Sequence, residues 1–106
     1  MFFYVYILES LQTDNIYVGF TNNLRARLEK HNRGLVSSTK PYRPWKLIRY
    51  ETFLNEKDAR RREKYLKTNQ GARLLKRQLK EYFYDRKTRV EETNRTSTTW
   101  KEVKYG

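Results

Sequence analysis

Tyr4, Tyr6 and Tyr17 sit in two short β-prone triplets, Tyr4-Val5-Tyr6 and Tyr17-Val18-Gly19, about ten residues apart. Two phenols brought together across a hairpin could form part of an active site. A phenol has an ordinary pKa of about 10, so it acts as a base at neutral pH only when nearby cations favour its ionised form. Tyrosine is equally a good structural strand residue, its ring packed and its hydroxyl wet, and spacing alone leaves both readings open. Arg27 and His31 stand at i, i+4, where an arginine can offer its planar fork to a phosphate and a histidine can move a proton. The same pair could be a solvated helix charge and a packed, hydrogen-bonded imidazole. Glu63 is the third feature, one carboxylate among Arg60, Arg61, Arg62, Lys64 and Lys67. At 100° per residue it flanks the apolar stripe of Ala59 and Leu66, where a carboxylate requires a metal, a cation or hydrogen bonds to compensate it. An ion pair with a neighbouring arginine and a metal ligand both meet that requirement.

The elements that must position these groups can be read from hydrophobic periodicity and turn chemistry. Residues 2–9 are apolar on both faces, Phe2, Tyr4, Tyr6 and Leu8 against Phe3, Val5 and Ile7, which predicts a strand central in its sheet. Gln12-Thr13-Asp14-Asn15 is a turn, and Ile16 to Phe20 returns as the second strand, with Gly19 allowing close approach to the backbone. Thr21-Asn22-Asn23 caps a helix from Leu24 to His31 that buries Leu24 and Leu28 and stops before Gly34. Residues 34–44 read as a loop, and Trp45 to Phe53 as a strand in which Leu47, Arg49 and Glu51 alternate against Ile48, Tyr50 and Thr52. Asn55 caps a second helix with Asp58 in its first turn, Gly71 is expected to break it, and a third helix runs from about Ala72 to Tyr84. The order β-β-α-β-α-α predicts one α+β domain over residues 1–86, followed by a loosely ordered tail over 87–106.

Composition narrows the partner. Twenty-four Lys and Arg against 12 Asp and Glu give a formal charge of +12, which points to a polyanion, nucleic acid before an anionic membrane. The chain has no cysteine and one histidine, which excludes disulfides, thiolate metal sites and a zinc site built from histidines. The apolar N-terminal run is short and meets Glu9 at once, so it reads as neither signal peptide nor membrane span. The expectation is a cytoplasmic protein with no membrane partner.

The run Tyr4-Val5-Tyr6, then Tyr17-Val18-Gly19, then Asn23-Leu24-Arg25-Ala26-Arg27-Leu28-Glu29-Lys30-His31-Asn32 resembles the GIY-YIG nuclease domain. Arg61-Arg62-Glu63-Lys64-Tyr65-Leu66-Lys67 is similar to the stretch that supplies the family's metal-binding glutamate. With Ser38-Thr39-Lys40 and Arg43-Pro44-Trp45-Lys46-Leu47, the whole resembles the small single-domain bacterial members over about residues 2–83. The resemblance implies a central three-stranded antiparallel sheet flanked by helices, with a DNA-cleaving site on one face. It implies catalytic roles for Tyr6, Tyr17, Arg27, His31 and Glu63, with Glu63 holding Mg²⁺ or Mn²⁺. Tyr4 replaces the glycine that opens the first motif in other members. A later family asparagine has no fixed counterpart here, Asn69 being the candidate. Candidates for nucleic-acid contact are Lys40, Arg43, Arg61, Lys64, Lys67 and Asn69. The expected activity is metal-dependent hydrolysis of phosphodiester bonds in duplex, branched or single-stranded DNA, in repair or recombination. The alternative is a nucleic-acid-binding module of the same fold with little or no cleavage, its Tyr42, Trp45 and Tyr50 serving for stacking.

Overall fold

In the computed structural model the backbone is described for residues 1–93 and 104–105, and the side chains through Arg86. Strand β1 (Phe3–Ser10) lies between β2 (Asn15–Thr21) and β3 (Trp45–Phe53), antiparallel to both. Its two apolar faces require this central place, and from Val5 to Ser10 every residue is buried. The β1–β2 turn is closed by side chains. Ser10 Oγ accepts the amides of Gln12 (3.1 Å) and Thr13 (3.0 Å), and Thr13 Oγ1 accepts that of Asn15 (3.2 Å). The two-residue strand β4 (Lys104–Tyr105) pairs parallel with β2 at Asn15 and Ile16, giving the order β3-β1-β2-β4.

The expected alternation in β3 fails at one point. Leu8 of β1 faces Leu47 while Ile7 faces Arg49, so Ile48 is an extra residue and forms a bulge. Leu47 therefore packs with Tyr6, Leu8 and Trp45, whereas Ile48 packs with Val5 and Ile7 on the other face. Beyond the bulge Tyr50 stands opposite Tyr6.

Each face of the sheet carries one helical layer. Helix α1 (Leu24–Asn32) covers the Tyr6 face with Leu24 and Leu28. Asn23 caps it, its side chain accepting the Ala26 amide at 3.1 Å, and Gly34 ends the segment at φ +77°, a conformation that favours glycine. The other face, Val5, Ile7, Ile16 and Val18, is covered by Ala59 and Leu66 of α2 (Glu56–Leu66) and Leu75 of α3 (Asn69–Gln78).

The helical half divides differently from the expected pattern. Asn55 caps α2 as foreseen, but the helix ends at Leu66, and Thr68 caps α3 by accepting the Gly71 amide at 3.1 Å. Gly71 is no breaker. It lies buried in the first turn of α3, and a Cβ there would run into the carbonyl of Tyr65 and the Cα of Leu66. The glycine allows the two helix backbones to cross in contact. The expected third helix is two, α3 and α4 (Lys80–Thr93), interrupted at Leu79. Helix α4 is fastened to the sheet by Tyr82, which donates to the buried Glu9, and by Arg86, which pairs with the same carboxylate. It passes the expected domain end at residue 86. Residues 94–103 and 106 of the expected tail lie outside the described residues.

Candidate active site

Of the residues singled out in the sequence, Tyr6, Tyr17, Arg27 and His31 converge on the α1 face. Pairing of Leu8 with Tyr17 and of Tyr6 with Gly19 puts both motif tyrosines on one side of the hairpin, their ring centroids 6.2 Å apart. The Tyr6 ring lies over Gly19, where a Cβ would occupy the ring's own space. One helical turn of α1 then delivers Arg27 and His31 to the same point. The Tyr6 hydroxyl lies 2.8 Å from His31 Nε2 and accepts from Arg27 Nε at 3.4 Å. Tyr17 packs edge-on against the imidazole with centroids 5.0 Å apart. Arg25, two residues before Arg27 on the helix, stands exposed.

The electrostatics follow from burial. Tyr6 is 1% exposed, and loss of solvation pushes its phenol up to about 12, against the hydrogen bond from Arg27 and with the charge of Glu63. His31 is fully buried, and burial together with the Arg27 charge brings its imidazole down to about 4. At neutral pH the protein therefore holds a neutral phenol against a neutral imidazole. Arg27 is held above its usual range, chiefly by the Tyr6 hydrogen bond, and stays a fixed cation. An open cleft of about 350 Å³ lies beside it, flanked by Thr21, Asn23 and Lys30, and presents the guanidinium to a ligand.

Glu63 stands on α2, the helix of the other face, and its charge contributes weakly to the raised Tyr6 phenol. Its partner is the lysine one turn on, Lys67, at 3.0 Å from Oε2, and not an arginine. Arg62 instead holds Glu51 through two bonds of 2.9 and 3.1 Å. Among the described residues no group of three or more His, Asp or Glu gathers to form a metal cage. A lone, partly exposed carboxylate with the Lys67 pair engaging only Oε2 fits Mg²⁺ or Mn²⁺ that keeps most of its water ligands.

The expected nucleic-acid contacts are dispersed. Lys64 is exposed on α2, and Asn69 is exposed at the start of α3. Arg61 pairs with Asp58 at 2.7 Å and Lys67 with Glu63. Lys40 opens a short 3-10 turn, and Arg43 folds back over Gly34 and donates to the Lys40 carbonyl at 3.1 Å. Two residues without an assigned role in the sequence reading hold the site from behind. Thr39 is buried with Oγ1 2.8 Å from His31 Nδ1, and its carbonyl accepts from Trp45 Nε1 at 2.9 Å. Asn32 clamps the Trp45 backbone through bonds of 2.7 and 3.1 Å. Thr39 ties α1 to the loop before β3 and Asn32 ties it to the first residue of β3, and no spacing rule points to either.

The family model described as the GIY-YIG catalytic domain matches residues 2–78. A UPF0213 protein of Clostridium perfringens is 38% identical over 88 residues, 78% of this chain and 94% of that protein. One from Staphylococcus haemolyticus is 38% identical over 74 residues, 69% and 89% of the two chains. The solution structure of a UPF0213 protein from Bacillus halodurans is 29% identical and superposes with a TM-score of 0.45, covering 71% of this chain and 82% of that one. No helix among the described residues is long and apolar enough to cross a membrane.

Proposed function

This chain belongs to the GIY-YIG catalytic-domain family, of the nuclease superfamily, and from that premise we propose that it is a metal-dependent DNA endonuclease hydrolysing phosphodiester bonds. The observation that carries the reading is the Tyr6 hydroxyl, fixed between the Arg27 guanidinium and His31 Nε2. A buried phenol raised to about 12 is not a resting phenolate, and transfer of its proton to an imidazole at about 4 is uphill by on the order of 10 kcal/mol. Tyr6 therefore works as a relay. Its oxygen accepts a proton from the attacking water as its own proton passes to Nε2 of His31, so no free phenolate forms.

Arg27 faces the phosphate through the open cleft and stabilises the negative charge that grows on the phosphoryl oxygens. Lys30 on the same wall of the cleft adds a second cation. Tyr17 packs the imidazole into place. Glu63 would hold the divalent cation, which supplies charge neutralisation at the departing 3′ oxygen when bound. Lys67 orients the carboxylate through its bond to Oε2. The +12 charge would draw DNA in through its phosphates.

The test measures cleavage of linear, branched and single-stranded DNA with and without Mg²⁺, for the unsubstituted protein, Tyr6→Phe and Glu63→Ala. Metal-dependent cleavage that both substitutions abolish, with DNA affinity unchanged or slightly higher for Glu63→Ala, is the expected result. DNA binding without cleavage on any substrate would assign the chain to a binding role, and retained cleavage by Glu63→Ala would refute its metal role.

A further inference from the structure

We propose that Thr39 is a positioning residue that fixes His31 as its Nδ1–H tautomer, leaving the Nε2 lone pair facing the Tyr6 hydroxyl. The inference rests on the relay reading for its catalytic meaning and on hydrogen accounting for its chemistry. Thr39 Oγ1 has two neighbours within bonding distance, His31 Nδ1 at 2.8 Å and the Val36 carbonyl at 3.3 Å. Only the carbonyl is an obligatory acceptor. If the hydroxyl proton goes to Val36, the Thr39 oxygen accepts Nδ1–H, and Nε2 accepts from the Tyr6 hydroxyl, which itself accepts from Arg27. The hydroxyl hydrogens of Thr39 and Tyr6 and the imidazole N–H then each have a partner, Thr39 Oγ1 sharing the Val36 carbonyl with the amides of Thr39 and Lys40.

The opposite tautomer breaks the chain. With Nε2–H turned toward Tyr6, the phenol oxygen would accept from both His31 and Arg27, and its own proton would have no acceptor in a side chain 1% exposed. An unsatisfied buried donor is unfavourable, and of the two groups bonded to the Tyr6 hydroxyl in the resting protein, Arg27 Nε can only donate, so the Nε2 lone pair is the acceptor for its proton. The relay also fails in that tautomer, since Nε2 already carries a proton. Thr39 is itself held by the indole of Trp45, which donates to its carbonyl, so the hydroxyl is presented from a fixed backbone. The selection thus comes from a loop residue that touches neither DNA nor metal in the proposed mechanism.

One histidine in the chain makes this directly measurable. In ¹⁵N-labelled full-length protein at pH 7, long-range ¹H–¹⁵N spectra should show a protonated Nδ1 and an unprotonated Nε2. Thr39→Val keeps the side-chain shape and removes the hydroxyl. It should move the population toward Nε2–H and lower kcat by about 10²-fold, with KM for DNA within about twofold. Thr39→Ser restores the hydroxyl and should recover both the tautomer and most of the rate. If Thr39→Val leaves the imidazole wholly Nδ1–H, or if Thr39→Ser shifts it as far as Val does, the proposal is overturned. Absence of cleavage by the unsubstituted protein would sink the nuclease reading instead, and the tautomer spectra alone would then decide for or against Thr39.

Discussion

His31 should make folding stability fall in mild acid. The imidazole is fully buried, both its nitrogens are within hydrogen-bond distance of a partner, and its pKa stands at about 4, lowered first by burial and then by Arg27. In the unfolded chain it returns to about 6.5. Between these two values the unfolded chain binds a proton that the folded protein excludes, so the slope of unfolding free energy with pH is positive there. The stability is fully present above about pH 6.5 and is lost progressively as the pH falls toward 4. At 1.36 kcal/mol per unit the whole window amounts to about 3 kcal/mol, a large share of the ~5–15 kcal/mol typical of a domain. Urea unfolding at pH 7.5 and pH 4.5 measures it, with His31→Gln as reference. The carboxylates titrate in both proteins and largely cancel in the difference. The unsubstituted protein should lose about 2–3 kcal/mol more than His31→Gln on acidification. Parallel pH dependences, within about 0.5 kcal/mol, would refute the buried neutral imidazole on which the relay depends.

The same imidazole predicts that the acid limb of kcat against pH falls near 4 and not near 6.5; an inflection above pH 6 would show that His31 titrates freely. Arg27→Ala should lower cleavage by about 10²-fold or more, because it removes a cation aimed at the transition-state charge. A loss in DNA affinity alone, with kcat intact, would demote it to a binding contact. DNA affinity should fall with salt on a log–log slope of about −4 if four to five phosphates of a duplex are neutralised, measured by fluorescence anisotropy. Salt-independent binding would contradict the basic surface as the interface. Gly71→Ala should lower stability by about 2 kcal/mol or more, since its Cβ meets backbone of α2, and an unchanged melting temperature would show that the two helices separate easily.

The sheet was legible because its signals are local. A strand apolar on both faces could only be central, and turn residues bounded the hairpin and β3. The clustering was legible in part: residues four apart on a helix share a side, which set Arg27 beside His31, whereas Tyr6 meets Tyr17 through the register of the hairpin. The bulge at Ile48 was not legible, since periodicity cannot say where one residue is skipped. The helix boundaries after Asn55 misled because Gly71 reads as a breaker by propensity, whereas its missing side chain serves contact between helices. Thr39 and Asn32 were hidden for a third reason. Their partners lie across a loop, and only the folded chain brings hydroxyl to imidazole.

The two halves of the proposed chemistry stand on different foundations. Tyr6 belongs to a strand bonded on both sides, and its hydroxyl cannot move without disturbing two ladders. Glu63 belongs to a helix that meets the sheet only through side chains, Ala59 and Leu66 among them, and that leans on α3 at Gly71. The gap between phenol and carboxylate is accordingly a packing dimension, set in the core behind the site. A methyl group added at Ala59 would lift one half of the machinery from the other while leaving every residue that touches DNA unchanged. The fold thus separates a proton-handling half, which is rigid, from a charge-neutralising half, whose distance can be retuned from the interior.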